Sequence, residues 1–469
     1  PDHHRGRADH DHGPAGVALR AALPRATRRT TELGLIVLAA LVTGGAYALA
    51  GLGKTASLPA DILPFLLVIL GLLAASHIAT RRLAPNADGV LLPVAGLLNG
   101  IGYVFIARLD TDKAALQALW TAVAVGAFIV TLVVVRRARD LEQYRYTFAL
   151  LGVGLLLLPL LPVIGREING SRIWIRMGPA TFQPGEVAKL VLAIFFAGYL
   201  VEKRELLQTF TRRLGPVSLP DPKFLGPVLG AWGFSLVVMI FERDLGSSLL
   251  FFALFVSMLW VATARGIYLV LGLVLFSAGA TIAFFAFDHV QNRVDIWLHP
   301  FEDAAGRGYQ IVQALFAFGS GGVAGTGLSL GSPTKIPAVT TDFIFAAIGE
   351  ELGLLGTTAI VVAFLLMVGV GLRIALQARS DFEKLLATGL TVILAVQTFI
   401  ILGGVTRLVP LTGITLPFVS YGGSSLLANY VLLALLLRIS GEPSSPRARA
   451  AAATASGGRP VTADPTVAR

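Results

Sequence analysis

NRVDIWLHPFEDAAGRGYQ, residues 292–310, crowds charged, aromatic and turn-forming side chains into a chain that is otherwise mostly compatible with lipid. An apolar run ends just before it near Phe287, and the next clear one begins only near Gly353. A connection of that length between membrane spans is usually functional or disordered, and Trp297, Phe301 and Tyr309 with the pair Glu302 and Asp303 argue against disorder. The remainder of the chain therefore reads as a scaffold that presents this loop.

Composition supports that reading. Of 469 residues, 55% are hydrophobic and 14% charged, where a soluble domain carries about a quarter charged, and the mean hydropathy is +0.74. These values predict an all-α polytopic membrane protein. With no cysteine, disulfides, thiolate metal sites and cysteine nucleophiles are excluded. The formal charge of +10 does not point to nucleic acid, because Lys and Arg are spread through short loops between apolar runs, where they act as topology determinants.

A spanning helix needs about 20 mostly apolar residues. Such segments fall near 33–51, 62–80, 89–107, 115–135, 145–164, 187–201, 224–241, 246–263, 266–287, 353–376, 386–408 and 420–439, about twelve in all. Residues 1–32, with His3, His4, His10 and His12, read as a solvated cytoplasmic tail rather than a metal site or a signal peptide, and 441–469 as a second tail. Basic residues such as Arg81, Arg82, Arg136, Arg137, Arg139, Lys203 and Arg204 concentrate in alternate loops, which puts both termini in the cytoplasm and the outer loop, 288–352, outside. Several basic groups on the poorer side, Arg166, Arg172, Arg176, Arg243, Arg293, Arg307 and Lys335, sit in or beside polar motifs and hint at an anionic ligand such as a phosphate.

Four polar constellations interrupt the apolar background. In NGSRIWIRMGPATFQPGEVAKL (169–190), Asn169-Gly170 and Gly178-Pro179 make turns and Pro184 suits the start of a helix, on which Glu186 and Lys189 share a face. Ionisable groups inside a membrane helix commonly line a cavity, and this outweighs a snorkelling lysine at the interface. Glu242, Arg243 and Asp244 separate two spans. The loop carries Asp295, Glu302 and Asp303, then GSGGVAGTGLSLG from Gly319, which reads as flexible loop rather than a phosphate cradle, then Asp342, Glu350 and Glu351. In TGITLPFVSYGGSSLLANY (412–430) the backbone is broken by Pro417, Gly422 and Gly423, which at membrane depth is tolerated only where it is buried in protein or lines a cavity; the plainer alternative is a helix start with Ser420 as its cap.

In this order the motifs resemble the SEDS family (shape, elongation, division and sporulation) of RodA/FtsW-type peptidoglycan polymerases. The carrying residues are NG-x-R-x-W and FQP-x-E-x-AK at 169–189, DLG at 244–246, P-x-ED-x-x-G-x-GYQ at 300–310, TDFIFA-x-x-GEELG at 341–353 and LP-x-VSYGGSS at 416–425. The resemblance implies a ten-helix core, here within 81–440, preceded by two added helices at 33–80. It implies a glycosyltransferase that polymerises lipid II with loss of undecaprenyl diphosphate, in elongation or division, beside a class B penicillin-binding protein. Asp303 is then the catalytic carboxylate, and Glu186 and Lys189 the polar pair of the core cavity. Further substrate or cavity contacts are expected from Arg172, Trp174, Arg176, Asp244, Arg293 and Arg307, and from Tyr309, Gln310, Asp342, Ser420 and Ser424. No metal ligand is assigned, and a divalent cation such as Mg or Mn is left open as a cofactor. His299 departs from the Asn or Asp common before the proline, and Ala304, Ala338 and Thr340 also depart from the pattern. A lipid-linked precursor flippase or other transporter is the competing reading, weakened by the lack of a repeat between 33–240 and 246–440.

Overall fold

The computed structural model describes residues 25–442 apart from 61, 163, 169, 178–179, 209–211, 215–216 and 220–225. Most of the two expected tails, the four N-terminal histidines, Asn169 and the Gly178-Pro179 turn lie outside the described residues. The first helix, α1 (Arg25–Thr55), begins inside the segment expected to be tail.

The chain continues through α2 (Ile62–Leu83), α3 (Leu91–Leu109), α4 (Thr111–Val134) and α5 (Arg145–Leu157), then β1 (Gly165–Ile168), β2 (Ser171–Met177) and β3 (Ala180–Phe182). After α6 (Pro184–Gln208) come a short hairpin, β4 (Arg212–Leu214) and β5 (Val217–Leu219), and the helices α7 (Gly226–Glu242), α8 (Leu245–Thr263) and α9 (Ile267–Ala286). The outer region contributes α10 (Asp288–Leu298) and α11 (Tyr309–Gly321), and α12 (Ile344–Gln377), α13 (Asp381–Val405) and α14 (Gly423–Gly441) close the bundle. Among the described residues eleven helical segments are long and apolar enough to cross a membrane, α5 counting with its 3-10 flanks, and α7 is a shorter apolar helix. Together they account for the twelve spans read from the sequence.

Breaks between spans are written in capping chemistry. Asp110 accepts from Lys113 N at 3.0 Å and starts α4 one residue after α3 ends. Asp244 does the same for α8 through Ser247 N, while Arg243 takes a positive φ of 54° in the two-residue break after α7. Ser380 and Glu383 form a capping box at α13. Burial then sorts the helices: 78% of the apolar window of α14 is inside the protein, against 61% for α8 and 17% for α2 and α9, so α14 with α3, α6 and α13 is central, α8 is next, and α2 and α9 are peripheral. The α1–α2 hairpin lies against α3, where Phe65 stacks between Tyr47 and Tyr103.

Four local expectations are corrected. Residues 165–182 form a three-stranded antiparallel sheet, order β1-β2-β3, because alternating Ile173, Trp174 and Ile175 follow a turn at Gly170, whose φ is +81°. The outer loop is largely helical: α11 buries Ile311, Val312, Ala314 and Ala317, and a helical stretch from Ile344 runs to a kink at Gly353, where φ is +65° and the expected span follows. The glycine-rich run is a fastened turn rather than a flexible loop, with Thr326 N and Gly327 N donating to the Glu350 and Glu351 carbonyls and Ser329 N and Ser332 N to the two carboxylates. Finally, α14 starts at Gly423 without a side-chain cap; the Ser420 hydroxyl instead accepts from Leu416 N at 2.9 Å and donates to Thr341 O at 2.6 Å.

Candidate active site

The outer motif is built on the end of α10. Trp297 Nε1 donates to Arg407 O at 3.1 Å, and Arg407 returns two bonds of 2.7 Å to Trp297 O and Leu298 O, which ties the helix end to the segment after α13. Gly306 N and Gly308 N then donate to Asp303 O, closing a turn around Asp303. A Cβ at Gly306 would lie 2.4 Å from Asp303 Oδ1, so only glycine leaves the carboxylate where it is.

Arg307 holds that carboxylate. Its backbone N–H donates to Asp303 Oδ2 at 3.0 Å and its Nε is 3.5 Å from the same oxygen, while Nη2 is 3.2 Å from Asp295 Oδ2 and Nη1 bonds Asn292 Oδ1 at 2.9 Å. The backbone bond first, and the guanidinium with it, keep the Asp303 carboxyl below the usual carboxylate range. Asp303 remains 46% exposed, an ionised acceptor open to solvent.

A second group lies under the segment before α14. Arg293 Nη1 donates to Leu411 O at 2.5 Å and is attracted by Asp244 and Asp342. Burial, opposed by Thr341 and Arg293, pushes Asp342 up to about 6. A third group is inside the bundle. Lys189 Nζ is 2.5 Å from Glu186 Oε2 and 2.6 Å from Gln397 Oε1, and Gln397 Nε2 donates to Thr415 O at 3.0 Å. Lys189 is 2% exposed, which rules out snorkelling and makes the three side chains one buried polar unit joining α6, α13 and the broken segment.

The other expected residues are distributed around these groups. Arg172, Trp174 and Arg176 alternate along one face of β2, and Ser171 Oγ ties the strand to Arg243 O at 3.2 Å. Tyr309 and Gln310 occupy the first turn of α11, half-buried, and Ser424 is buried in the first turn of α14. 

Residues 90–445 match the family model FtsW/RodA/SpoVE, described as cell cycle protein. The chain belongs to the FtsW/RodA/SpoVE family. It is 47% identical over 437 residues to the peptidoglycan glycosyltransferase RodA of Mycobacterium tuberculosis, covering 91% of this chain and 93% of that protein. Among solved structures it is similar to a chain of a peptidoglycan synthase complex that coordinates polymerization and crosslinking, with TM-score 0.60, 26% identity and coverage of 76% of this chain and 97% of that one. The rod shape determining protein RodA of Thermus thermophilus gives 0.51, 25%, 76% and 96%.

Three features of this FtsW/RodA/SpoVE-family site were not singled out from its sequence. Gln397 binds Lys189, Arg407 anchors α10, and Asn292 shares the Arg307 guanidinium. A lone amide in the apolar run of α13 was the available signal for Gln397, since a buried amide needs partners. Among the described residues, one group of side chains could hold a metal: ligand atoms of Asp295, His299 and Glu302 all lie within 4.8 Å of one another.

Proposed function

We infer that this chain is a multi-pass membrane peptidoglycan glycosyltransferase that polymerises lipid II into glycan strands. The observation that carries this is the match to a peptidoglycan glycosyltransferase over 91% of the chain, which takes in the polar groups described above. Asp303 is the general base. As the 4-hydroxyl of the acceptor sugar attacks the anomeric carbon of the donor, Asp303 takes its proton; the bond from that carbon to the diphosphate breaks with inversion, and the electron pair leaves with undecaprenyl diphosphate. Support comes from an ionised, accessible carboxylate locked by Arg307 and Gly306. Glu186, Lys189 and Gln397 form the polar floor of the bundle, and the cationic face of β2 with Arg172 and Arg176 suits the developing phosphate charge. A divalent cation such as Mg or Mn, when bound, supplies further neutralisation of the diphosphate.

The outer motif faces the extracytoplasmic side in this reading, with both termini in the cytoplasm, and the partner is a class B penicillin-binding protein. The experiment is polymer detection from lipid II with purified protein, with and without that partner, comparing wild type and Asp303→Asn. Polymer from wild type alone is the expected result. Equal polymer from both removes Asp303 from the role, and translocation of lipid-linked sugar without any polymer removes the glycosyltransferase reading.

A further inference from the structure

RRARDLEQYR (136–145), the connection between α4 and α5, carries four arginines and reads first as a topology signal. Such a signal needs only charge on one side of the membrane. Here the charge surrounds a cavity of about 1130 Å³, walled by this connection, the end of α2, the start of α13 and the end of α14. Two of its carboxylates are spent on backbone groups: Glu442 Oε1 accepts from Ala138 N at 3.0 Å, and Glu383 Oε2 from Arg379 N at 3.1 Å and Ser380 N at 3.3 Å. Its outer arginines are unspent. The guanidinium groups of Arg136, Arg137 and Arg139 are exposed and have no hydrogen bond or ion pair among the described residues. A further guanidinium lines the cavity from inside the bundle. Arg438 is 9% exposed; its two terminal nitrogens donate to Leu83 O and Leu132 O in the last turns of α2 and α4, and its Nε has no partner among the described residues. It thereby offsets the negative ends of those two helices, which would otherwise repel an anion.

We propose that this cavity binds the phosphate headgroup of an anionic membrane lipid. Its walls carry six arginines against four carboxylates, Asp140 and Glu142 joining Glu383 and Glu442. A guanidinium fork binds phosphate through paired N–H bonds, so the unspent arginines supply the matching chemistry. Access decides the source of the phosphate. Only 17% of the apolar window is inside the protein for α2 and for α5 with its 3-10 flanks, and both reach the cavity wall. A lipid can therefore leave its chains in the bilayer beside these helices and place its headgroup among the arginines. The cavity lies at the opposite end of the spans from Asp303, on the cytoplasmic side in the topology proposed above, so this lipid is not the substrate of the outer motif. Bound there, it bridges the added α1–α2 hairpin to α13 and α14.

The test titrates the intact purified chain in detergent with dioleoylphosphatidylglycerol and, separately, with dioleoylphosphatidylcholine, counting bound lipids by native mass spectrometry. No polymerisation is read, so the outcome does not depend on the glycosyltransferase reading. Wild type is compared with Arg136→Gln plus Arg139→Gln, and with Arg82→Gln plus Lys384→Gln, which removes the same charge from exposed positions outside the cavity wall at the same end of the bundle. Thermal melting checks folding; should the cavity pair melt below wild type, Arg137→Gln alone carries the comparison. The expected result is one phosphatidylglycerol held per wild-type chain in preference to phosphatidylcholine, weakened on the order of tenfold or more in the cavity pair and less than about threefold in the control pair. No preference for phosphatidylglycerol, or equal weakening in the two pairs, overturns the site. Displacement of the bound lipid by millimolar inorganic phosphate overturns the lipid as the source of the phosphate.

Discussion

Lys189 Nζ meets Gln397 Oε1 at 2.6 Å, a bond between α6 and α13 deep in the bundle, while the same ammonium holds Glu186 at 2.5 Å. A buried ion pair loses most when one member is removed, since the other charge is left without a counterion. Lys189→Met is therefore expected to destabilise the protein by about 3–5 kcal/mol, read as a lower melting temperature in detergent. The double variant Lys189→Met with Glu186→Gln should recover much of that stability but not polymer formation. Full activity in the double variant would remove the pair from the chemistry.

Gln397→Leu separates positioning from charge. It leaves the Lys189–Glu186 pair in place but strips one acceptor from Lys189 and one donor from Thr415 O. An unmade buried bond costs about 1–3 kcal/mol. The expectation is a modest loss of melting temperature with a larger fall in polymer yield per folded molecule. A fall in yield that merely tracks the folded fraction would make Gln397 a packing residue.

At Gly306 the prediction concerns geometry alone. Alanine there puts a Cβ within 2.4 Å of Asp303 Oδ1, so the carboxylate must turn away while its charge and chain environment are kept. Misplacement of a catalytic group by about 1 Å costs on the order of a hundredfold in rate. Gly306→Ala should therefore lose polymer formation nearly as severely as Asp303→Asn, with the melting temperature within a few degrees of wild type. Unaltered activity would mean that Asp303 need not occupy the position in which Arg307 holds it.

The helices were legible in the sequence because each span carries its own evidence: apolar length, then a break signalled by Asp110, Asp244 or Ser380. The pair Glu186 and Lys189 was legible for the same reason, being three apart on one helix. What escaped depended on distant partners. Gln397 is 208 residues from Lys189, and Arg407 binds backbone carbonyls that carry no side-chain signature. The sheet at 165–182 escaped because strands of three to seven residues broken by turn signals read only as turns, and the turn at 322–331 because its order comes from Glu350 and Glu351 beyond it. Ser420 had the right residue type for a cap but spends its hydroxyl on Leu416 and Thr341.

That turn yields a stability prediction. Glu351 is fully buried, 2.6 Å from Arg108 Nη2, and its other oxygen accepts from Ser329 N at 3.0 Å. The same guanidinium donates to Gly331 O at 2.9 Å. Arg108→Met leaves Glu351 without its cation and should cost about 3–5 kcal/mol, with the 322–335 segment the first to become accessible to hydrogen exchange. Exchange unchanged there would show that the backbone bonds to the Glu350 and Glu351 carbonyls suffice to hold the turn.

The last prediction turns on Asp342, pushed up to about 6 by burial against the opposing pull of Arg293. A carboxyl raised from 3.8 binds its proton in the folded state at a pH where the unfolded chain has released it. Between about pH 4 and pH 6 the folded protein therefore holds more protons, and its stability falls as pH rises through that window. Above it the full cost of the ionised, buried carboxylate is present, on the order of 3 kcal/mol. Asp342→Asn removes the charge and keeps the shape, so it should melt higher than wild type at pH 7.5, with the gap closing as the pH approaches 5. If Asp342→Asn melts lower at pH 7.5, attraction to Arg293 exceeds the burial cost, and the group is held together by its ion pair rather than in spite of its burial.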